Sequence, residues 1–223
     1  MKKIIYCFIR FILLMNYSKA QNAFGISAGA TFSGIKAKAD GITLTSDTHV
    51  GFTVGLTESI SMGKDFSFRP ELNFTQKGGD LSVPDEDFKY KTTINYLELP
   101  LNFVYNTHSA KGKLFIGAGP SLNIALSGKY KLTGMGEESG KLKFGSDETV
   151  DDYKAFDASI NAIAGYQFSG GFFIAANYNF GITNISPGSN EKDHIHYYGI
   201  RLGYMFPGKR NRKLDELIYL LIK

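Results

Sequence analysis

The chain has 223 residues, which fits a single domain, and hydrophobic residues make up 43% of it, which excludes a disordered protein. Its 25 glycines and 18 phenylalanines indicate closely packed strands rather than helices. The formal net charge is +4, but residues 1–20 contribute +4 and residues 209–223 contribute +3, so residues 21–208 carry −3. This mildly acidic body argues against a nucleic-acid partner.

The first 20 residues have the pattern of a secretory signal peptide. Two lysines precede an apolar stretch over residues 4–15, and Ser18 and Ala20 are small residues at the positions that signal peptidase reads. The apolar stretch is shorter than the roughly 20 residues of a membrane-spanning helix, which favours cleavage after Ala20 over a retained anchor. The single cysteine, Cys7, lies in this segment, so we expect no disulfide and no thiolate in the mature chain.

Beyond the signal, the chain shows eight runs in which apolar and polar residues alternate, as they do in β-strands. The runs cover residues 24–32, 52–60, 66–75, 96–105, 114–124, 156–168, 172–181 and 197–206. One face of each run is mainly aliphatic or aromatic, and the other is rich in Gly, Ser, Thr, Asn and charged residues. Each run is about as long as the roughly 9–11 residues with which a tilted strand crosses a bilayer.

The connections between the runs alternate in length. Short links lie at residues 62–65, 106–112 and 169–171, and long links at 33–49, 77–91, 127–152 and 182–194. This alternation is typical of bacterial outer-membrane barrels. We therefore predict an all-β fold over residues 21–206, an eight-stranded antiparallel up-and-down transmembrane β-barrel. Outer-membrane lipid would contact its apolar face, both termini would be periplasmic, and the four long loops would be open to an envelope protein partner.

A soluble periplasmic ligand-binding barrel is the alternative fold. It also has eight alternating strands, but its apolar face points inward around a ligand. Long links at one end only and a polar second face favour the membrane barrel, which has to be closed because hydrocarbon tolerates no open sheet edge.

Four segments of the chain are typical of one family of small barrels. They are Tyr96-Leu-Glu98-Leu-Pro100-Leu, Gly117-Ala-Gly119-Pro120, Gly165-Tyr166 and Tyr198-Gly199-Ile-Arg201-Leu-Gly203-Tyr204-Met-Phe206. Over about residues 21–206 the chain resembles the PorT-type outer-membrane β-barrel family of Gram-negative bacteria, whose members are OmpX-like. The resemblance implies insertion by the barrel-assembly machinery, which would recognise Leu202, Tyr204 and Phe206 in the last run. It leaves open a part in protein export at the envelope, because the family defines a barrel rather than a reaction.

The chain continues past the final phenylalanine, where barrels of this kind usually end. Four apolar residues of this tail fall on one face of a helix, and basic residues precede them. We predict that residues 207–223 form a basic tail that is either amphipathic and membrane-associated or disordered.

Five charged residues lie on faces predicted to point into the lumen: Arg69, Glu71, Glu98, Asp157 and Arg201. The interior of an eight-stranded barrel is just wide enough for side chains, so these groups would be desolvated and would have to pair. We predict an ion-pair network that fills the lumen, with a gated ion or proton path as the alternative. A structural, adhesive or accessory role in an envelope complex follows from the first interpretation.

A lipid-modifying enzyme is the alternative function, since serine, histidine and acidic groups are present. The histidines are His49, His108, His194 and His196. His194 and His196 with the nearby acids could bind a metal, but two histidines at i and i+2 are a weak signal, and a polar surface loop explains them equally well. We predict no catalytic residue, no metal and no cofactor.

Glu58 is the one exception to the apolar outer face, because it falls in line with Phe52, Val54 and Leu56. A carboxylate near the membrane interface costs only about 0–1 kcal/mol, which makes that position tolerable. A β-bulge that turns the side chain inward is the other explanation.

Overall fold

The computed structural model describes residues 22–39, 41–82, 88–134 and 136–206. The strands in these residues are β1 (Asn22–Ala39), β2 (Ile42–Thr45), β3 (His49–Ser61), β4 (Phe66–Ser82), β5 (Lys89–Asn106), β6 (Gly112–Thr133), β7 (Glu138–Lys141), β8 (Phe156–Phe168), β9 (Phe172–Gly181) and β10 (Glu191–Phe206). No helix in this described part has the length and hydropathy of a membrane span. The predicted signal peptide and the predicted tail lie outside the described residues.

Eight of the strands close into a ring in which each strand is antiparallel to both neighbours. The order is β1, β3, β4, β5, β6, β8, β9 and β10, and the ring is closed by pairing of β10 with β1. The closing ladder runs from Phe24 opposite Phe206 to Ala39 opposite Glu191. This confirms the predicted all-β antiparallel barrel, and each of the eight predicted runs forms one strand of the ring.

The alternation of each strand separates an apolar outer face from a polar inner one. On the outside, Leu56, Ile116 and Leu202 are 57%, 62% and 65% exposed. On the inside, side chains such as Thr75 and Asn102 are fully buried. Most apolar side chains of the wall point outward, which overturns the soluble ligand-binding alternative, because such a barrel would turn them toward its centre.

The three short links are tight turns at one end of the barrel. Gly63 and Gly171 have φ angles of 104° and 92°, a conformation that residues with a Cβ avoid. Aromatic pairs flank these turns on the outer wall, with ring centroids 5.4 Å apart for Phe66 and Tyr105 and 5.0 Å apart for Phe172 and Tyr204. Such a girdle is typical of the level where a barrel wall leaves the hydrocarbon.

At the other end, strands replace much of what the sequence predicts as loops. β1 continues to Ala39, β4 to Ser82 and β6 to Thr133, and β5 already begins at Lys89. We call this end of the barrel the rim. It also contains two short strands: β2 pairs with β1, and β7 pairs with β6. Above the membrane a strand needs no apolar face, so its sequence loses the alternation while its backbone hydrogen bonds remain paired.

One β-bulge interrupts the ladder between β5 and β6. Asn95 pairs with Ser127 and Tyr96 with Ala125, so Leu126 is the additional residue. An extra residue reverses which side chains face inward. Beyond the bulge, Tyr130 therefore packs against the interior and its sequence neighbours point out.

Candidate functional site

The described inner face of the barrel contains two polar layers between two apolar clusters. The layer nearer the short turns is centred on Arg201 and Glu71, and the layer nearer the long loops on Glu98. The five charged residues predicted for the lumen are all buried, with 4% exposure or less. They do not form one continuous set of ion pairs.

Arg201 and Glu71 form a bidentate ion pair between β10 and β4. Nη1 of Arg201 donates to Oε2 of Glu71 at 2.5 Å and Nη2 to Oε1 at 3.3 Å, while Asn73 Nδ2 donates to Oε2 at 3.1 Å. Arg69 lies over the ring of Phe115, with the guanidinium carbon 4.4 Å from the ring centroid. The carboxylate thus directly balances one of the two guanidinium groups, and an aromatic face covers the other.

Glu98 is the centre of the second layer. Its Oε1 accepts hydrogen bonds from Asn179 Nδ2 at 2.9 Å and Ser121 Oγ at 3.2 Å, and the hydroxyl of Tyr197 lies 3.0–3.1 Å from both carboxylate oxygens. Lys77 provides the counter-charge, with Nζ 3.6 Å from Oε2. This carboxylate is buried but fully coordinated by donors, as an ionised group in a narrow lumen has to be.

Lys77 is the functional residue that the sequence interpretation missed, because it lies in a segment predicted as a loop. Its side chain is fully buried, and Nζ lies 4.7 Å from the ring centroid of Tyr197 and 5.0 Å from that of Tyr96. A signal was present in the sequence. Lys77 extends the i+2 series of inward residues that begins at Arg69 and Glu71, so the inner face of β4 continues four residues past Asn73.

Asp157 lies beside this layer and is held by neutral donors. Asn123 Nδ2 donates to Oδ2 at 3.1 Å and Thr183 Oγ1 to Oδ1 at 2.7 Å. Lys77 donates to Asn123 at 3.5 Å, so the lysine reaches Asp157 through one amide. The geometry thus brings Arg69, Glu71 and Arg201 together at one level, and Glu98 and Asp157 at another.

Apolar clusters close both ends of this polar interior. Near the short turns the cluster comprises Val104, Phe115, Ile163, Phe173, Ala175 and Met205. Near the long loops it comprises Ile35, Ile94, Tyr96, Leu142, Ile185 and Ile195. The expectation of a polar interior is therefore correct for the central layers and wrong at the two ends, where large apolar side chains occupy inward positions.

Glu58 does not face lipid as predicted, because its side chain is only 6% exposed. The pairing of β3 with β1 is continuous at Glu58, which lies opposite Phe24, so no register shift occurs there. The ladder to β4 lapses between Thr57 and Ile60, next to Pro70, which has no N–H to donate. Thr57 and Glu58 are consecutive and both buried, so the strict alternation fails at this irregular point.

The histidines are dispersed over the molecule. His49 is buried and its Nδ1 lies 2.7 Å from Asp80 Oδ1, whereas His108 in a short turn pairs with Asp65 at 3.3 Å. His194 and His196 occupy one face of β10, and Asp193, which precedes His194, lies on the other. Burial and the neighbouring Glu191 raise the pKa of the Asp193 carboxyl. In the described part of the chain, no group of three or more histidine, cysteine or acidic residues is arranged to hold a metal ion.

The residues proposed as an assembly signal line the outer face at the end of β10. Leu202 is 65% exposed, and the rings of Tyr204 and Phe206 lie 5.0 Å apart in an edge-to-face contact. These side chains are directly accessible from the membrane side of the wall.

The chain is similar to several solved outer-membrane protein structures. The chain is 19% identical to Ail, the attachment invasion locus protein of Yersinia pestis, with 83% of this chain and 99% of that chain covered and a TM-score of 0.43. It is 16% identical to the outer membrane protein OprG of Pseudomonas aeruginosa, with 84% of this chain and 97% of that chain covered and a TM-score of 0.46. It is 15% identical to Neisserial surface protein A, with 82% of this chain and 97% of that chain covered and a TM-score of 0.42. No curated protein matches the chain at a significant level.

The family assignment comes from the sequence itself. Residues 19–187, about three quarters of the chain, match the family described as outer membrane protein beta-barrel domain. The match covers β1 through β9, and the last strand completes the ring by pairing with the first. The chain belongs to the outer membrane protein beta-barrel domain family.

Proposed function

We propose that this protein is a closed, non-conducting barrel with a structural or adhesive role at the cell surface, or an accessory role in an envelope complex. The observation that carries the proposal is the filled lumen, in which two apolar clusters enclose two layers of buried polar side chains. A continuous aqueous path needs a lumen wide enough for water along its whole length, and narrow apolar constrictions exclude water. A gated ion or proton path is therefore the weaker interpretation of the buried charges.

The rim above the long-loop end supports a binding role. Ile42 and Leu44 of β2 are 66% and 61% exposed, which places apolar side chains in solvent. Within the described residues β2 pairs only with β1 and β7 only with β6, so each has one free edge. A free strand edge with exposed apolar residues can accept an extended segment of a partner protein. We accordingly assign partner contact to the regions predicted as loops, 33–49, 77–91, 127–152 and 182–194.

The orientation of the barrel in the membrane follows from the different lengths of the connections at its two ends. Short turns face the periplasm in bacterial barrels and long connections face outward. With residues 22 and 206 at the short-turn end, both termini would be periplasmic. Leu202, Tyr204 and Phe206 would then be the part of the last strand that the barrel-assembly machinery recognises.

Within the wider family we place this chain among the PorT-type barrels. The proposal rests on the four sequence segments quoted above, which include Glu98 at the centre of the lumen and Arg201 of the buried ion pair. A deletion strain that secretes its usual set of exported proteins would remove the export role without affecting the proposal of a closed barrel.

Conductance measurements test the closed lumen. The folded full chain, inserted in a planar bilayer, should produce no current steps, whereas a porin in the same bilayer gives the positive control. Stepwise currents from the unmodified protein would contradict the proposal. The enzyme alternative is tested separately by mass spectrometry of outer-membrane lipids from a deletion strain, where an unchanged lipid profile excludes it.

Photo-crosslinking in cells tests the binding rim. A crosslinking residue at Leu44 should produce protein adducts, because this side chain is exposed at the rim. The same residue at Lys64, in a short turn at the opposite end, is the matched control. Equal adduct patterns at both positions, or none at Leu44, would argue against partner contact at the rim.

A further inference from the structure

We propose that a lysine-rich cleft on the outer wall of the barrel binds the phosphate groups of lipid headgroups in the adjoining membrane leaflet. The cleft has a volume of about 620 Å³, and four of its lining residues are Lys91, Lys129, Lys131 and Lys141. We call it the lysine cleft. The inference is independent of whether the lumen is closed.

The ladder places these lysines directly opposite one another. Lys91 pairs with Lys131 across β5 and β6, and Lys129 pairs with Lys141 across β6 and β7. Like charges in directly opposed positions destabilise a sheet. This arrangement therefore has a cost in the absence of an anion, and a bound anion would offset it.

Carboxylates balance only part of this charge. Lys91 lies 3.7 Å from Asp80 and Lys131 lies 3.3 Å from Glu137. Among the residues that the structure describes, no carboxylate oxygen lies within 4.0 Å of the amino groups of Lys129 and Lys141. As far as the described residues go, the exposed centre of the cleft thus has positive charge that no carboxylate balances.

The β-bulge at Leu126 aims the lysines outward. Asn123 faces the lumen, so without the additional residue the odd-numbered positions of β6 would continue to do so. Beyond the bulge Tyr130 packs on the inner apolar cluster, whereas Lys129 and Lys131 are exposed. Because of this bulge, Lys129 and Lys131 lie on the outer wall rather than in the lumen.

The cleft lies directly above the lipid-facing band on the same wall. Three rows of paired residues cross β4, β5 and β6 in order of height. They are the apolar row Phe74, Leu97 and Ile124, then the amide row Gln76, Asn95 and Ser127, then the first lysine row with Thr93 and Lys129. Within the amide row, Gln76 donates to Asn95 at 3.1 Å and Asn95 to Ser127 at 3.0 Å, so its polar groups are mutually paired.

These rows give the height of the lysines above the hydrocarbon. Thr93, the partner of Lys129, is four positions beyond Leu97, and Lys91 is six positions beyond it. At about 3.4 Å per residue and a strand tilt of about 40°, the lysine backbones lie roughly 10 to 16 Å above the last aliphatic row. Lysine side chains that extend toward the membrane from this height reach the headgroup phosphates. A lipid headgroup is therefore the occupant that the location favours over a soluble polyanion.

A second basic cleft recurs at the seam between β1 and β10. Lys36 pairs with His194 and Lys38 with Lys192, again beyond the last aromatic pair of the outer wall. The cleft has a volume of about 380 Å³. Exposed Phe180 also lines it, which adds an apolar surface beside the cations. The combination of cations and an apolar edge fits the junction between a headgroup and its acyl chains.

The test is a titration of the full chain, folded in detergent, with lipid A that carries both phosphates and with lipid A from which the phosphates have been removed. The variant Lys129→Gln/Lys141→Gln should bind the phosphorylated lipid about 25-fold more weakly, since each lysine near an anionic surface contributes about five-fold. The control Lys64→Gln/Lys111→Gln removes the same charge from the exposed short turns and should bind like the unmodified chain. The dephosphorylated lipid should not distinguish the three proteins.

Three results would overturn the proposal: equal weakening by the variant and its control, no weakening at all, or equally tight binding of lipid with and without phosphates. Inorganic pyrophosphate distinguishes the source of the phosphate, because a site for a soluble anion would bind it as tightly as the lipid and would release the lipid in competition. Heat-modifiable gel mobility shows that each variant is folded. If the first variant does not fold, Lys91→Gln/Lys131→Gln replaces it with the same expectation.

Discussion

Replacement of Glu71 by glutamine removes the anionic partner of Arg201 near the centre of the lumen. In the wild-type pair Nη1 lies 2.5 Å from Oε2 and Nη2 3.3 Å from Oε1, and both side chains are at most 4% exposed. The variant leaves a desolvated guanidinium without its counter-charge, in the electrostatic field of Arg69. Breaking a buried ion pair by removing one partner lowers the free energy of unfolding by about 3–5 kcal/mol.

A double variant separates the loss of the pair from the burial of an unpaired charge. Glu71→Gln/Arg201→Gln removes both charges and should recover most of the stability, to within about 1–2 kcal/mol of the unmodified protein. Urea titration of the barrel in lipid vesicles, followed by gel mobility, measures the free energy of unfolding. Glu137→Gln breaks an exposed pair and should change it by less than about 1 kcal/mol. A Glu71→Gln variant as stable as this control, or a double variant as unstable as the single one, would refute the reasoning.

Two further substitutions test the wall of the barrel by the same titration. Gly119→Ala places a methyl group against the backbone carbonyl oxygen of Leu101 and should lower the free energy of unfolding by about 1–3 kcal/mol, whereas Gly170→Ala meets open space and should change it by less than about 0.5 kcal/mol. Equal effects would show that the strands can separate to accommodate the methyl group. Leu202→Lys puts a charge on the lipid face and should cost about 2–4 kcal/mol, but Leu44→Lys on the rim should cost below about 1 kcal/mol. Similar costs at the two leucines would contradict the assigned position of the membrane.

The strands and their outward faces were predictable because lipid and lumen impose opposite requirements on successive residues. Leu202 and Arg201 are neighbours in the chain, yet one has to meet hydrocarbon and the other a polar interior. The alternation of apolar and polar residues is no longer required where the wall leaves the membrane. For this reason the sequence places Lys77 and Lys129 in loops, although both lie in strands.

The pairing of buried groups was not predictable in the same way. Glu71 and Arg201 are 130 positions apart, and the contact depends on the stagger of strands around the ring. A shift of one residue in any ladder would exchange inner and outer faces, and a shift of two would give Arg201 another partner. The alternation fixes which residues enter the lumen, but the register of the whole ring fixes which of them meet. The predicted lipid-facing position of Glu58 was wrong for a related reason. The interruption of the β3–β4 pairing beside Pro70 cannot be recognised from the sequence pattern of β3.

The seam between β1 and β10 has a consequence for biogenesis. Its sixteen residue pairs join the beginning of the barrel to its end, so the first strand has no final neighbour until the last has been synthesised. Until then two rows of backbone N–H and C=O groups remain unsatisfied, and hydrocarbon does not tolerate them. The nascent chain therefore has to be kept out of the bilayer, or its edges shielded by another protein. A chain truncated before β10 should accumulate as an uninserted precursor, however complete its other seven strands are.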